Sequence, residues 1–141
     1  MQIRCELIRI MISETEDHQV IVLKECKGER VFPIVIGFFE AAAIDRRIKG
    51  HILPRPMTHD LLAMVIQALG GRLTKVAVTD LKDHTFYATL VIERNGSEIH
   101  VDARPSDAIA LAVAGDTPIF VEDHVLAAVA GPQSGGFGFN V

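Results

Sequence analysis

The chain carries an internal repeat, and this feature restricts its possible folds more than any other. Residues 9–18 (RIMISETEDH) match residues 75–84 (KVAVTDLKDH) at an offset of 66 positions, in charge, apolar alternation and the Asp-His ending. Further along, residues 40–44 (EAAAI) match residues 107–111 (DAIAL). A repeat of this kind predicts two copies of one supersecondary unit that pack against each other.

The two copies define a fold class. In each, the apolar pattern indicates three strands, a helix, an extended segment and a second helix. We place the copies at residues 1–71 and 72–131, around a pseudo-two-fold axis. They share one core, since either copy alone is too small to be comfortably stable. The prediction is an α+β fold with a mixed, largely antiparallel sheet, in one domain over residues 1–131.

Local signals add detail to this fold. The apolar phase of the first strand shifts at Ile8, which indicates a bulge or burial on both faces. Pro33 cannot donate to a sheet ladder, so its strand should be an edge strand or be bulged there. Thr58 and Ser106 are good N-cap residues, so we expect each to cap a helix.

The composition is that of a globular protein without a membrane span. Its 141 residues are 49% hydrophobic and 23% charged, which suits one domain with a real core. The longest apolar run is interrupted by Pro33 and Gly37, and the N-terminus lacks a signal-peptide profile. We therefore expect a cytoplasmic protein with no membrane contact. The net charge of −4 excludes a wholly basic surface, so nucleic acid would need a local patch.

The cysteines and the C-terminal tail carry weaker signals. Cys5 and Cys26 are expected to be reduced thiols, although the first hairpin would place them roughly opposite each other and so leaves a disulfide open. Neither has a partner at CxxC spacing, which argues against zinc. The glycine-rich residues 132–141 are predicted to be a flexible tail, unless Phe137 and Phe139 dock on a partner chain.

One stretch of this acidic chain concentrates positive charge. Only Asp45 and Asp60 offset the basic side chains of residues 46–60, which are Arg46, Arg47, Lys49, His51, Arg55 and His59. Arginine pairs well with phosphate oxygens. The alternative is a solvated helix face whose arginines pair with surface acids.

A helix start within this stretch offers groups for chemistry. His59 follows Thr58 and can move a proton near neutral pH, and Asp60 can bind a metal or orient the imidazole. Free backbone N–H groups at such a helix start attract anions. The alternative for Asp60 is that an acid in the first turn merely complements the helix dipole.

A second helix start carries two acids. Asp102 and Asp107 flank the turn at Pro105, and paired carboxylates can hold Mg²⁺ or Mn²⁺. Arg104 between them is a candidate phosphate clamp. Glu40 occupies the position in the first copy that Asp107 occupies in the second. The alternative is structural, with Asp107 serving the helix dipole and Arg104 paired with Asp102.

Other common catalytic patterns are missing from the sequence. It has no Walker loop, dinucleotide fingerprint, nucleophile elbow or HExxH motif, which argues against P-loop hydrolysis, serine hydrolysis and zinc proteolysis. Tyr87 is most simply a strand residue, with stacking on a nucleobase as the less favoured reading.

A series of short motifs, in order along nearly the whole chain, resembles the bifunctional nuclease domain family. The motifs are PIVIG at 33–37, EA at 40–41, PRP at 54–56, THDLL at 58–62, TFYA at 85–88, DARPSDAIAL at 102–111 and PIFV at 118–121. Members are described as acting on both DNA and RNA. The resemblance implies an α+β domain in a bacterial cytoplasm, commonly as a homodimer or larger assembly.

With this resemblance, the sequence predicts a nuclease that hydrolyses phosphodiester bonds in DNA and RNA with Mg²⁺ or Mn²⁺. The candidate catalytic residues are His59, Asp60, Asp102 and Asp107. The candidate metal ligands are Asp102, Asp107 and Glu40. The candidate substrate-binding residues are Arg46, Arg47, Arg55, Arg104 and Ser106. The alternative is a non-catalytic module that binds nucleic acid or protein, in which these residues only fix the fold.

Overall fold

The computed structural model describes residues 1–132, which fold into four helices and eight strands. The strands are β1 (Gln2–Met11), β2 (His18–Glu25), β3 (Arg30–Gly37), β4 (Arg72–Lys82), β5 (Thr85–Arg94), β6 (Ser97–Ala103), β7 (Ile119–Glu122) and β8 (Gly131–Pro132). The helices are α1 (Phe38–Ile48), α2 (Thr58–Ala68), α3 (Pro105–Ala114) and α4 (Asp123–Val129). The predicted docking of Phe137 and Phe139 lies outside the described residues.

All eight strands join one sheet in the order β6-β5-β4-β7-β1-β2-β3-β8. β4 and β7 pair in parallel and all other neighbours are antiparallel. The prediction of an α+β fold with a mixed, largely antiparallel sheet is confirmed. Each half runs through three strands and a helix to a second helix, whereas the duplication and its boundaries stay predictions.

The structure agrees with the sequence on two backbone features, one at Ile8 in β1 and one at Pro33 in β3. The register of β1 against β2 shifts between Leu7 and Arg9, which confirms an irregularity at Ile8. β8 pairs only with the first two residues of β3, so Pro33 lies where β3 has one neighbour, β2. This agrees with the rule that confines proline to strand edges.

Helix α3 lies at the centre of the core. Its residues from Ala108 to Ala112 are all buried, and they pack with apolar side chains of the sheet, α1 and α4. Burying this helix fixes the path of the chain that enters it from β6. Residues 1–132 include no helix that is long and apolar enough to cross a membrane.

Two predicted helix caps are wrong by one or two residues. Met57 is the N-cap of α2, and Thr58 is the first helical residue. Arg104 is the N-cap of α3, and Pro105 is the first helical residue. Proline suits that first position, because its fixed φ is helical and its missing N–H is not needed there. Ser106 therefore lies inside the first turn.

Both cysteine thiols are free in the structure, and they differ in environment. Cys5 is buried and Cys26 is exposed. Cys5 pairs with Glu25 across the β1–β2 ladder, and the N–H of Cys26 donates to the Arg4 carbonyl at 3.0 Å. The two cysteines are therefore one position out of register. Burial, aided by the neighbouring Cys26 and Glu25, raises the pKa of Cys5 to about 12.

Candidate active site

Three helix starts surround one cleft of about 710 Å³. β3 leads directly into α1, which places Glu40 in its first turn. β6 leads through Arg104 into α3, which places Asp107 in the first turn of that helix. Residues 49–57, which connect α1 to α2, bring the start of α2, with His59, to the same cleft.

A short and well-shielded polar contact in the cleft joins His59 to Asp107. The distance from His59 Nε2 to Asp107 Oδ1 is 2.8 Å, and the two side chains are only 16% and 27% exposed. A carboxylate only accepts hydrogen bonds, so the neutral imidazole carries its proton on Nε2. Nδ1 then holds a lone pair and can accept a proton. An acid that orients a histidine in this way is a common arrangement for general-base chemistry.

Arg104 lies on the other side of the same carboxylate. Its Nε–H donates to Asp107 Oδ2 at 2.7 Å, and its guanidinium lies 3.8 Å from Glu40 Oε1. Burial opposes ionisation of Asp107, but hydrogen bonds from Arg104 and His59 outweigh it, so the pKa of Asp107 is lowered. The hydrogen bond to Asp107, with the charges of Asp107 and Glu40, raises the pKa of Arg104. Asp107 is thus ionised and Arg104 charged at neutral pH.

Gly37 allows Glu40 to take its place beside Arg104. A Cβ atom on Gly37 would overlap the carboxylate of Glu40, which folds back over this residue at the start of α1. Any side chain at position 37 would displace the Glu40 carboxylate.

A basic pocket of about 390 Å³ adjoins the cleft. Its lining includes Arg46, Arg47, His51 and Arg55, and Arg46 and His59 line both cavities. Lys49, directly after α1, instead pairs with Asp45 of that helix at 2.9 Å. The ion pairs of residues 1–132 do not involve the three arginines of this pocket, so their charges are available to an anion.

The predicted site residues therefore separate into three groups. Six of them line the cleft: Glu40, Arg46, His59, Asp102, Arg104 and Asp107. Arg47, Arg55 and Asp60 line the basic pocket. The Asp60 carboxylate accepts the Met57 N–H at 3.0 Å, which favours its structural reading as a helix-start residue. Ser106 lies behind Arg104 in a separate pocket, together with His84.

The predicted metal ligands share the cleft without forming a closed site. Glu40, Asp102 and Asp107 all line it, but both oxygens of Asp107 already accept hydrogen bonds. Within residues 1–132, no three His, Cys, Asp or Glu side chains converge as a metal-binding group. The predicted Arg104–Asp102 pair is also replaced, because Arg104 bonds to Asp107.

Sequence reasoning missed the aromatic and apolar part of the cleft. Phe39 lines it and is 80% exposed, and Leu62 and Val101 line it as well. Two adjacent phenylalanines before a helix look like core residues in a hydrophobicity pattern, so no sequence signal separated Phe39 from the core. Tyr87 does not line the cleft, and its ring instead lies 5.7 Å from the Lys82 ammonium.

Comparisons with known proteins show which proteins this chain is similar to. The chain is 45% identical over 121 residues to an uncharacterized protein of Mycobacterium tuberculosis, covering 86% of this chain and 72% of the relative. It is 24% identical over 120 residues to "Bifunctional nuclease 1" of Oryza sativa subsp. indica, which covers 82% of this chain and 36% of the rice protein.

A family model describes the same relationship. The model of the bifunctional nuclease domain matches residues 21–133, which include all three helix starts around the cleft. Since this match spans most of the chain, the protein belongs to the bifunctional nuclease domain family.

Proposed function

We propose that the protein is a nuclease that hydrolyses phosphodiester bonds in DNA and RNA at the cleft around His59. The His59–Asp107 hydrogen bond of 2.8 Å carries this proposal. It combines an oriented imidazole with the guanidinium of Arg104, in a cleft whose size suits a small ligand or one nucleotide. Family membership supports the choice of substrate.

The arrangement suits a general-base mechanism. Asp107 holds the Nε2–H of His59, and Nδ1 removes a proton from a water molecule. The resulting oxygen nucleophile attacks phosphorus and the bond to the leaving sugar oxygen breaks. That oxygen takes up a proton from solvent, and His59 releases its own proton to solvent. Arg104 stabilises the negative charge that builds up on the phosphate oxygens. Positioned acid–base groups of this kind typically contribute about 10²–10⁴-fold in rate.

A divalent ion, Mg²⁺ or Mn²⁺, remains part of the proposal. Mg²⁺ is often held by one or two carboxylates, with water and substrate phosphate completing its shell. The proposed ligands are Asp102 and Glu40, because both carboxylates line the cleft and Asp107 already bonds to His59. Bound there, the ion would help to neutralise phosphate charge.

The cations around the cleft are proposed to bind the nucleic-acid backbone. Arg46 lies between the cleft and the basic pocket, and Arg47 and Arg55 continue the positive surface. This surface is local, which is how a chain of net charge −4 can hold a polyanion. We expect this binding to weaken as salt rises.

A homodimer or larger assembly in the cytoplasm completes the proposal. Helix α2 buries none of its residues, and Leu61, Met64 and Val65 stay exposed along it. A contiguous exposed apolar face is typical of an interaction surface. A second chain covering α2 would enclose the start of the helix that carries His59.

The experiment is to purify the parent and folded His59→Ala protein and to measure cleavage of DNA and RNA, each with Mg²⁺, with Mn²⁺ and with EDTA. A matched control is His100→Ala, because His100 also bonds a carboxylate, Glu98, at 2.7 Å but lies on β6 outside the cleft. We expect His59→Ala to lose at least about 100-fold in rate and His100→Ala to keep the parent rate. Equal loss in both variants, or in neither, contradicts the proposal.

The alternative function is a non-catalytic binding module. The exposed apolar face of α2 favours it, since a protein partner would cover that face. The discriminating result is salt-dependent binding of nucleic acid by the parent without cleavage under any of the three metal conditions.

A further inference from the structure

The Phe39 side chain is exposed to solvent, although leaving a large aromatic ring in water is unfavourable. Its side chain is 80% exposed, although it follows a buried strand and begins a packed helix. It lines the same cleft as His59 and Arg104. An exposed ring inside a cleft that also holds charged side chains differs from the scattered apolar residues of an ordinary surface.

One aromatic contact and one sequence neighbour place this ring beside the charged part of the cleft. The Phe38 ring meets it edge to face, with centroids 5.8 Å apart and planes at 85°. This geometry is one that aromatic pairs prefer. Phe39 also directly precedes Glu40, whose carboxylate lies 3.8 Å from the Arg104 guanidinium. Phe39 is therefore the direct sequence neighbour of a carboxylate that pairs with Arg104.

The cleft as a whole combines an apolar wall with cations. Leu62 and Val101 are exposed residues of its lining, as Phe39 is, and Arg46 and Arg104 line the same cleft. A nucleotide has the complementary chemistry, with a flat, weakly hydrated base and an anionic phosphate. Unpaired bases stack on aromatic side chains in this way in proteins that bind single strands.

We propose that Phe39 is a stacking platform for one nucleobase of a single-stranded substrate whose phosphate contacts Arg104. This inference rests on the proposed function for the identity of the ligand, and it adds that the site takes an unpaired base. Because every base has an aromatic face, the platform accepts DNA and RNA alike. Duplex regions would have to open or lie outside the cleft.

The test compares two strands that differ only in their bases. The probes are a fluorescent oligothymidine of about ten nucleotides and the same strand with abasic sugars, both with phosphorothioate linkages that resist cleavage. Binding is measured by fluorescence anisotropy for the parent, Phe39→Leu and Phe39→Tyr. Leucine keeps most of the apolar bulk, and tyrosine keeps an aromatic face.

We expect Phe39→Leu to bind oligothymidine at least about fivefold more weakly, which is the low end of stacking losses. Its binding to the abasic strand should be unchanged, and Phe39→Tyr should bind both strands like the parent. Equal weakening for both strands, no weakening, or no binding by the parent overturns the inference. So does a change in mass by light scattering without base-specific loss, which would assign Phe39 to an interface between copies of the chain.

The test also separates this inference from the proposed function. A parent protein that binds through Phe39 but cleaves nothing would refute the nuclease and keep the base site. A parent protein that cleaves, combined with a Phe39→Leu variant that binds both strands like the parent, would keep the nuclease and refute the base site.

Discussion

The side chains of Asp107 and His59 should stabilise the folded chain jointly, so that the losses of unfolding free energy on removing each of them are not additive. The bond between them is 2.8 Å long, and both side chains are mostly shielded from water. A hydrogen bond to a charged group contributes about 1.5–3 kcal/mol when well buried. Partial exposure screens this one, so we expect a coupling of about 1–2 kcal/mol. Arg104 adds little to the cost, because it is 67% exposed and water can solvate it once Asp107 is gone.

The assay is a double-mutant cycle in urea. The free energy of unfolding at neutral pH is measured for the parent, Asp107→Ala, His59→Ala and the double variant, and the coupling is the non-additive part. The control cycle uses His100 and Glu98, whose bond is equally short but much more exposed, so its coupling should be far smaller. If the His59–Asp107 coupling does not exceed that of the control pair, the shielded, oriented imidazole on which the proposed function depends does not exist.

The same carboxylate should make stability depend on pH in acid. The pKa of Asp107 is lowered in the folded chain, so its contribution is fully present above its unfolded pKa of about 3.9. It is lost as the pH falls through the lower folded value. The difference in unfolding free energy between the parent and Asp107→Ala should therefore shrink as the pH falls below about 3.9. A difference that keeps growing in strong acid would contradict Asp107 as the ionised partner of Arg104 and His59.

Three further predictions concern the rest of the molecule. A thiol reagent at mildly alkaline pH should modify Cys26 in the folded chain and Cys5 only after denaturation, because burial raises the pKa of Cys5 to about 12; rapid modification of both would refute this. Leu61→Ser should lower the mass measured by light scattering, because Leu61 is exposed on α2; an unchanged assembly would move the interface elsewhere. Asp102→Asn should weaken Mg²⁺ binding in calorimetry while leaving the fold intact, and unchanged binding would remove Asp102 from the metal proposal.

Local patterns were sufficient to locate the helix starts that carry the site. Proline and polar residues before apolar stripes marked the starts of α2 and α3 to within one or two residues. The first turns of these helices bring His59 and Asp107 to the cleft. The shift at Ile8 was also readable, because strand periodicity records which face each residue occupies. These features depend on residues close together in the chain.

Pairings between distant residues were not readable. His59 and Asp107 are 48 positions apart, and their contact depends on how α2 packs beside α3. The contact of Asp60 is local by comparison, since its carboxylate accepts the Met57 N–H at the helix start, and the helix-start alternative for Asp60 could be predicted from the sequence. Phe39 was overlooked, because a hydrophobicity pattern gives burial only on average and cannot show that one ring of a Phe-Phe pair remains in solvent.

The most direct measurement of the central claim is chemical rescue of a missing imidazole. In His59→Gly, added imidazole can occupy the vacated space beside Asp107 and supply the proton acceptor that the side chain provided. We predict that it restores cleavage of DNA and RNA in His59→Gly and has no effect on the parent or on His100→Gly. A folded His59→Gly protein that cleaves at the parent rate, or that stays inactive at every imidazole concentration, would contradict the assignment of His59 as the general base.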